Sequence, residues 1–148
     1  MEFSESLKKN RDFRYVYQKG RSYANKYFIM YVLENHHDRN YLGISVSKKV
    51  GNSVVRHRIC RLVRESYRLH ENMFNSGLNI VVVARKNAFQ VSYHETESAL
   101  LHLSKLHHIL KESWFIYDWF LFKWYRLQYK NVMKTGSKIC KKIMVKKI

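Results

Sequence analysis

The sequence predicts a mixed α/β domain over residues 1–110, with elements in the order α, two or three strands, α, β, α. Three observations carry that expectation. Residues 27–33 (YFIMYVL) and 78–84 (LNIVVVA) are strand-length runs rich in β-branched and aromatic side chains. Three other segments repeat apolar residues at helical spacing. With 148 residues, 46% of them hydrophobic, the chain can bury one core.

The first helix is expected between Asn10, a candidate N-cap, and Gly20, a candidate stop, with Phe13, Val16 and Tyr17 on one face. Residues 22–24 suit a brief strand, residues 27–33 a longer one, and ENHHDRN at 34–40 a turn. Residues 41–47 (YLGISVS) alternate, with Leu42, Ile44 and Val46 pointing one way and Gly43, Ser45 and Ser47 the other. A loop at Gly51 and Asn52 leads into a second helix, capped by Asn52 or Ser53. The continuous apolar run at 78–84 suits a strand covered on both faces. Ser92 to Glu95 has the capping-box pattern and opens a helix with Ala99, Leu100, Leu103, Leu106 and Leu110 at helical spacing.

The second helix carries the strongest functional signal. Residues 48–68 (KKVGNSVVRHRICRLVRESYR) hold seven of the 28 lysines and arginines against one acid, Glu65. At about 100° per residue, His57, Arg61, Arg64 and Arg68 fall within a sector roughly 60° wide. Arg56 and Arg58 flank that sector, and Val55, Ile59, Leu62, Val63 and Leu69 lie opposite. Such a helix can rest on a core and present cations to a polyanion, with arginines as bidentate phosphate donors and Lys48 and Lys49 as point charges. A second surface combines aromatics and cations. Tyr31 and Ser45 on adjacent strands can share a face with Phe13 and Tyr17, and Arg85 and Lys86 follow the apolar strand. Aromatics beside cations form a stacking platform for single-stranded nucleic acid, although aromatics at such positions also serve as core.

The net charge of +17 points to nucleic acid, with an anionic membrane surface as the lesser alternative. Residues 1–110 carry 18 basic and 9 acidic residues; residues 111–148 carry 10 and 2. This extension joins an aromatic run, WFIYDWFLFKWY at 114–125, to a lysine-rich end, and weak membrane-surface contact is open to it. Cys60 and Cys140 show no zinc spacing and read as free thiols in a reducing cytoplasm. No secretory signal and no 18-residue apolar span are expected. Paired carboxylates, nucleophile elbows and phosphate loops are missing, and the adjacent pairs His36-His37 and His107-His108 diverge, so no catalytic or metal-ligating residues are assigned.

Residues 48–68 resemble the signature of the bacterial ribonuclease P protein subunit, K-K-x-G-x-A-V-x-R-N-R-x-K-R-x-x-R-E. Lys48, Lys49, Gly51, Val54, Arg56, Arg58, Arg61, Arg64 and Glu65 match it. LKKNRDF, GISVSKKVGN and VVVARKNA agree as flanks, so the similarity spans about residues 5–110. Ser53, His57 and Cys60 depart from the usual Ala, Asn and Lys. The resemblance implies a two-layer α/β sandwich of α-β-β-β-α-β-α order, similar to domain 2 of ribosomal protein S5, with a left-handed crossover. It also implies a cytoplasmic complex of one catalytic RNA and one protein, which removes the 5′ leader from precursor tRNA. In it the RNA and the substrate phosphates hold the magnesium ions. Lys48, Lys49, Asn52, Arg56, His57, Arg58, Arg61, Arg64 and Arg68 would then face the catalytic RNA. Phe13, Tyr17, Tyr31, Ser45, Arg85 and Lys86 would line a leader cleft. The extension has no counterpart in the signature. A ribosomal protein or RNA chaperone is the alternative reading.

Overall fold

In the computed structural model, which describes residues 4–111, five strands form one sheet: β1 (Ser4–Ser6), β2 (Arg21–Ala24), β3 (Phe28–Glu34), β4 (Asn40–Ser45) and β5 (Leu78–Ala84). The helices are α1 (Asn10–Lys19), α2 (Ser53–Leu69) and α3 (Tyr93–Leu106). The sheet order is β1-β4-β5-β3-β2. β4 runs parallel to both β1 and β5, whereas β3 is antiparallel to β5 and β2. Parallel neighbours cannot be joined by a hairpin, so α2 forms the crossover between β4 and β5.

The apolar run of β5 is explained by its central position, with Val81 and Val82 buried on opposite faces. On one face Met30, Leu42, Ile80 and Val82 pack with Val63 and Tyr67 of α2 and Leu100 of α3. The other face carries α1, whose Val16 is fully buried. The mixed α/β fold implied by the resemblance is observed, but helices on both faces of the sheet make three layers rather than two, and β1 precedes the expected α-β-β-β-α-β-α order.

Several local expectations change. Strand β1, sequence SES, has no apolar signal; it pairs with β4, and Ser4 Oγ lies 3.0 Å from the Tyr67 hydroxyl in a buried contact. Asn10 is the first helical residue of α1, not its cap, because Lys9 occupies the cap position without a side-chain bond. Gly20 does end α1, but with φ −74°; its requirement is space, since a Cβ there would stand 2.6 Å from the Val16 carbonyl oxygen. Asn52 caps α2 by accepting the Val55 N–H at 3.0 Å. The buried face of α2 is Ile59, Val63, Ser66 and Tyr67, which leaves Leu69 exposed. α3 begins with the expected capping box but stops at Leu106, and His108 turns the chain with φ 55°. Leu110 is therefore buried beyond the helix, bridged to Phe74, and Leu106 is exposed. The expectations for residues 112–148 fall outside the described residues. No described helix is long and apolar enough to cross a membrane.

Candidate nucleic-acid interface

The cations of residues 48–68 do not form one uniform face. Lys48, Lys49, His57, Arg61 and Arg64 are exposed, and among the described residues no ion pair engages them. Arg68 is exposed too, but its Nε and Nη2 donate to both carboxylate oxygens of Glu65, at 2.9 and 2.6 Å. That bidentate pair lowers the Glu65 pKa. Arg58 donates from Nη2 to the Val91 carbonyl oxygen at 2.8 Å, strapping α2 to the chain just before α3. Arg56 is half-buried, with its Nε enclosed and lacking a protein hydrogen-bond partner. Asn52 has its Oδ1 taken by the helix cap, leaving its amide group for any other contact. Cys60 is half-buried, and burial raises its thiol pKa against the lowering influence of Arg64 and Arg56, so it is no activated nucleophile.

The second surface lies on the α1 face of the sheet. Tyr17 and Tyr31 meet edge to face with ring centroids 5.0 Å apart, and Phe13 lies 6.4 Å from Tyr17. Gly43 makes this arrangement possible: a Cβ there would stand 2.7 Å from Phe13 Cε1, so the ring can lie on the sheet only above a bare backbone. Gly43, Val81 and Tyr31 occupy one row across the sheet, and Ser45, Val83 and Ile29 the corresponding row two residues along. Ser45 is half-buried there. Arg85 continues the alternation from Val83 towards the same face, but its Nη1 bonds the Asn25 carbonyl oxygen at 2.6 Å. Lys86 is exposed and opens a 3-10 turn, Lys86–Gln90. The structure thus brings Phe13, Tyr17 and Tyr31 into contact, sets Ser45 beside them and holds Arg85 to the β2–β3 turn. Gly43 was placed on this face by alternation alone; its steric role needed the position of Phe13 across 30 residues of chain.

The α2 face is poorly matched to magnesium. Magnesium takes hard oxygen ligands, whereas the α2 face presents nitrogen cations and a single carboxylate already paired with Arg68. Among the described residues no group of three or more His, Cys, Asp or Glu is placed to hold a metal.

Comparisons with known proteins converge. The ribonuclease P protein of Lachnoclostridium phytofermentans is 60% identical over 110 residues, covering 74% of this chain and 95% of the relative. That of Alkaliphilus metalliredigens is 55% identical over 103 residues, covering 70% and 93%. The solved ribonuclease P protein of Staphylococcus aureus superposes with a TM-score of 0.67 at 37% identity, covering 72% of this chain and 97% of that one. The Thermotoga maritima protein gives 0.62 at 32% identity, covering 66% and 93%. The family model described as Ribonuclease P matches residues 1–108. With its basic helix, its cluster of aromatic rings and this match over most of its length, the chain belongs to the ribonuclease P protein family.

Proposed function

We propose that this chain works as the protein component of ribonuclease P in tRNA processing, binding the catalytic RNA through α2 and the single-stranded leader of precursor tRNA through the aromatic cluster of Phe13, Tyr17 and Tyr31. The observation that carries the reading is the set of exposed cations, Lys48, Lys49, Arg61 and Arg64, that no acid of the protein neutralises among the described residues. A helix face left charged in this way lowers the cost of bringing RNA phosphates together. Phe13, Tyr17 and Tyr31 supply ring surface that any base can stack on, which suits a leader of variable sequence. Hydrolysis belongs to the RNA, with magnesium held by RNA and substrate phosphates, as the resemblance implies; the exposed cations of α2 suit phosphate contact. One RNA and one protein form the working unit, in the cytoplasm. The extension carries any membrane-surface contact, which liposome binding by chains with and without residues 112–148 would reveal.

Reconstitution with a bacterial ribonuclease P RNA tests this reading. The complex is expected to release the 5′ leader from precursor tRNA, and the protein alone to release none. Failure to improve cleavage over RNA alone would favour the RNA-chaperone alternative. Tyr17→Ala should weaken holoenzyme binding to precursor tRNA while leaving mature tRNA unaffected; equal effects on both would remove the leader assignment.

A further inference from the structure

Among the cations of α2 lie two apolar side chains. Val54 is 73% exposed, Leu62 is half-buried, and facing them stands Tyr93, the first residue of α3. These three line one open groove together with His57, Arg58, Arg61, Arg64 and Glu65, whose carboxylate is paired with Arg68. The groove's far wall is rigidly placed. The Arg58 bond to the Val91 carbonyl fixes the chain two residues before Tyr93, and the Ser92–Glu95 capping box fixes the helix start. The Tyr93 hydroxyl donates to Glu97 Oε1 at 3.2 Å, which leaves the ring face as the group offered to a ligand.

Phosphate contacts give no use to an exposed valine, a leucine and a tyrosine ring. A nucleobase does, because its faces are apolar and its sugar-phosphate links are anionic. We infer that this groove takes an unpaired nucleobase of the RNA bound by α2, stacked on Tyr93 beside Leu62, with Arg61 and Arg64 on the adjoining phosphates. The inference rests on the reading of α2 as the RNA-binding face. Stacking also makes the groove tolerant of base identity, since every base has such a face.

Affinity for the organism's own ribonuclease P RNA, measured across a series of monovalent salt concentrations, tests it. Tyr93→Leu is expected to weaken binding about tenfold without altering the slope of log affinity against log salt, because no cation is lost. Tyr93→Trp, which keeps a stacking face, and Tyr93→Phe, which loses only the hydroxyl, should stay within about threefold of the unaltered chain. Arg61→Ala and Arg64→Ala should each flatten the slope by about 0.7–0.9. Unaltered binding by Tyr93→Leu beside weakened arginine variants would overturn the nucleobase groove and leave the α2 reading standing. Equal weakening by Tyr93→Trp and Tyr93→Leu would also overturn it. Full binding by the arginine variants would instead remove the reading on which it rests.

Discussion

Replacing Gly43 by alanine should destabilise the protein, and the same replacement should stabilise it once Phe13 is also alanine. The added Cβ would stand 2.7 and 2.8 Å from two Phe13 ring carbons and 3.2 Å from Leu7 Cδ2. Overpacking of that kind costs about 1–3 kcal/mol. Against it stands the loss of glycine's unfolded-chain freedom, which favours alanine by about 0.4–1 kcal/mol where the backbone conformation is compatible. The steric cost wins, for a net loss of about 1–2 kcal/mol. In a Phe13→Ala background the ring is gone, and the tip of Leu7 can give a few tenths of an ångström. The entropic gain then remains, and Gly43→Ala should add about 0.5 kcal/mol. Urea unfolding of the four chains closes the cycle. Losses that simply add, or one sign in both backgrounds, would refute the claim that Gly43 exists to seat Phe13.

Other consequences can be checked on the same protein. Arg58→Ala should lower stability by about 1 kcal/mol through the lost bond to the Val91 carbonyl, whereas Arg61→Ala should stay within about 0.5 kcal/mol; similar losses in a denaturant titration would erase the distinction between strapping and RNA-facing arginines. Tyr67→Phe should cost about 1 kcal/mol because it leaves the buried Ser4 hydroxyl without that partner, and Ser4→Ala on top of it should add little; a further full loss would deny the pairing. Bonds from the Tyr27 hydroxyl, and then from the Ser92 backbone and hydroxyl, hold the Glu95 carboxyl down to about 2 from an ordinary 4.5. The stabilisation it gives is therefore complete above about pH 4.5 and fades as pH falls towards 2. Glu95→Gln should accordingly lag the unaltered chain in stability at neutral pH and draw level near pH 2; a constant gap across that range would contradict the assignment.

Elements with a strong periodic signal were legible in the sequence. The run at 78–84 emerged as β5 with those limits because a central strand needs apolar residues on both faces. The capping box at Ser92 and the Asn52 cap formed because their chemistry is local. What failed to show depended on distant partners. β1 has only SES to announce it, and it exists because β4 offers a parallel edge and Tyr67 a hydroxyl. Leu106 and Leu110 continue a helical spacing, but the turn at His108 ends α3 and sends Leu110 to Phe74. At the interface, helical angles placed the cations on one side but could not sort them. Arg58 and Arg68 are engaged because Val91 and Glu65 lie within reach, and the first of these contacts spans 33 residues. The groove at Tyr93 escaped for the same reason: its walls come from two helices that only the fold brings together.

Cleavage of precursor tRNA by the holoenzyme, reconstituted with the Arg61→Ala/Arg64→Ala chain and assayed at low and at high magnesium, tests the central claim most directly. If α2 acts by screening RNA phosphates, added divalent ions substitute for the lost cations. The double variant should then cleave far more slowly than the unaltered holoenzyme at low magnesium and approach it at high magnesium. Equal losses at both concentrations would contradict the account, and so would unchanged cleavage at low magnesium.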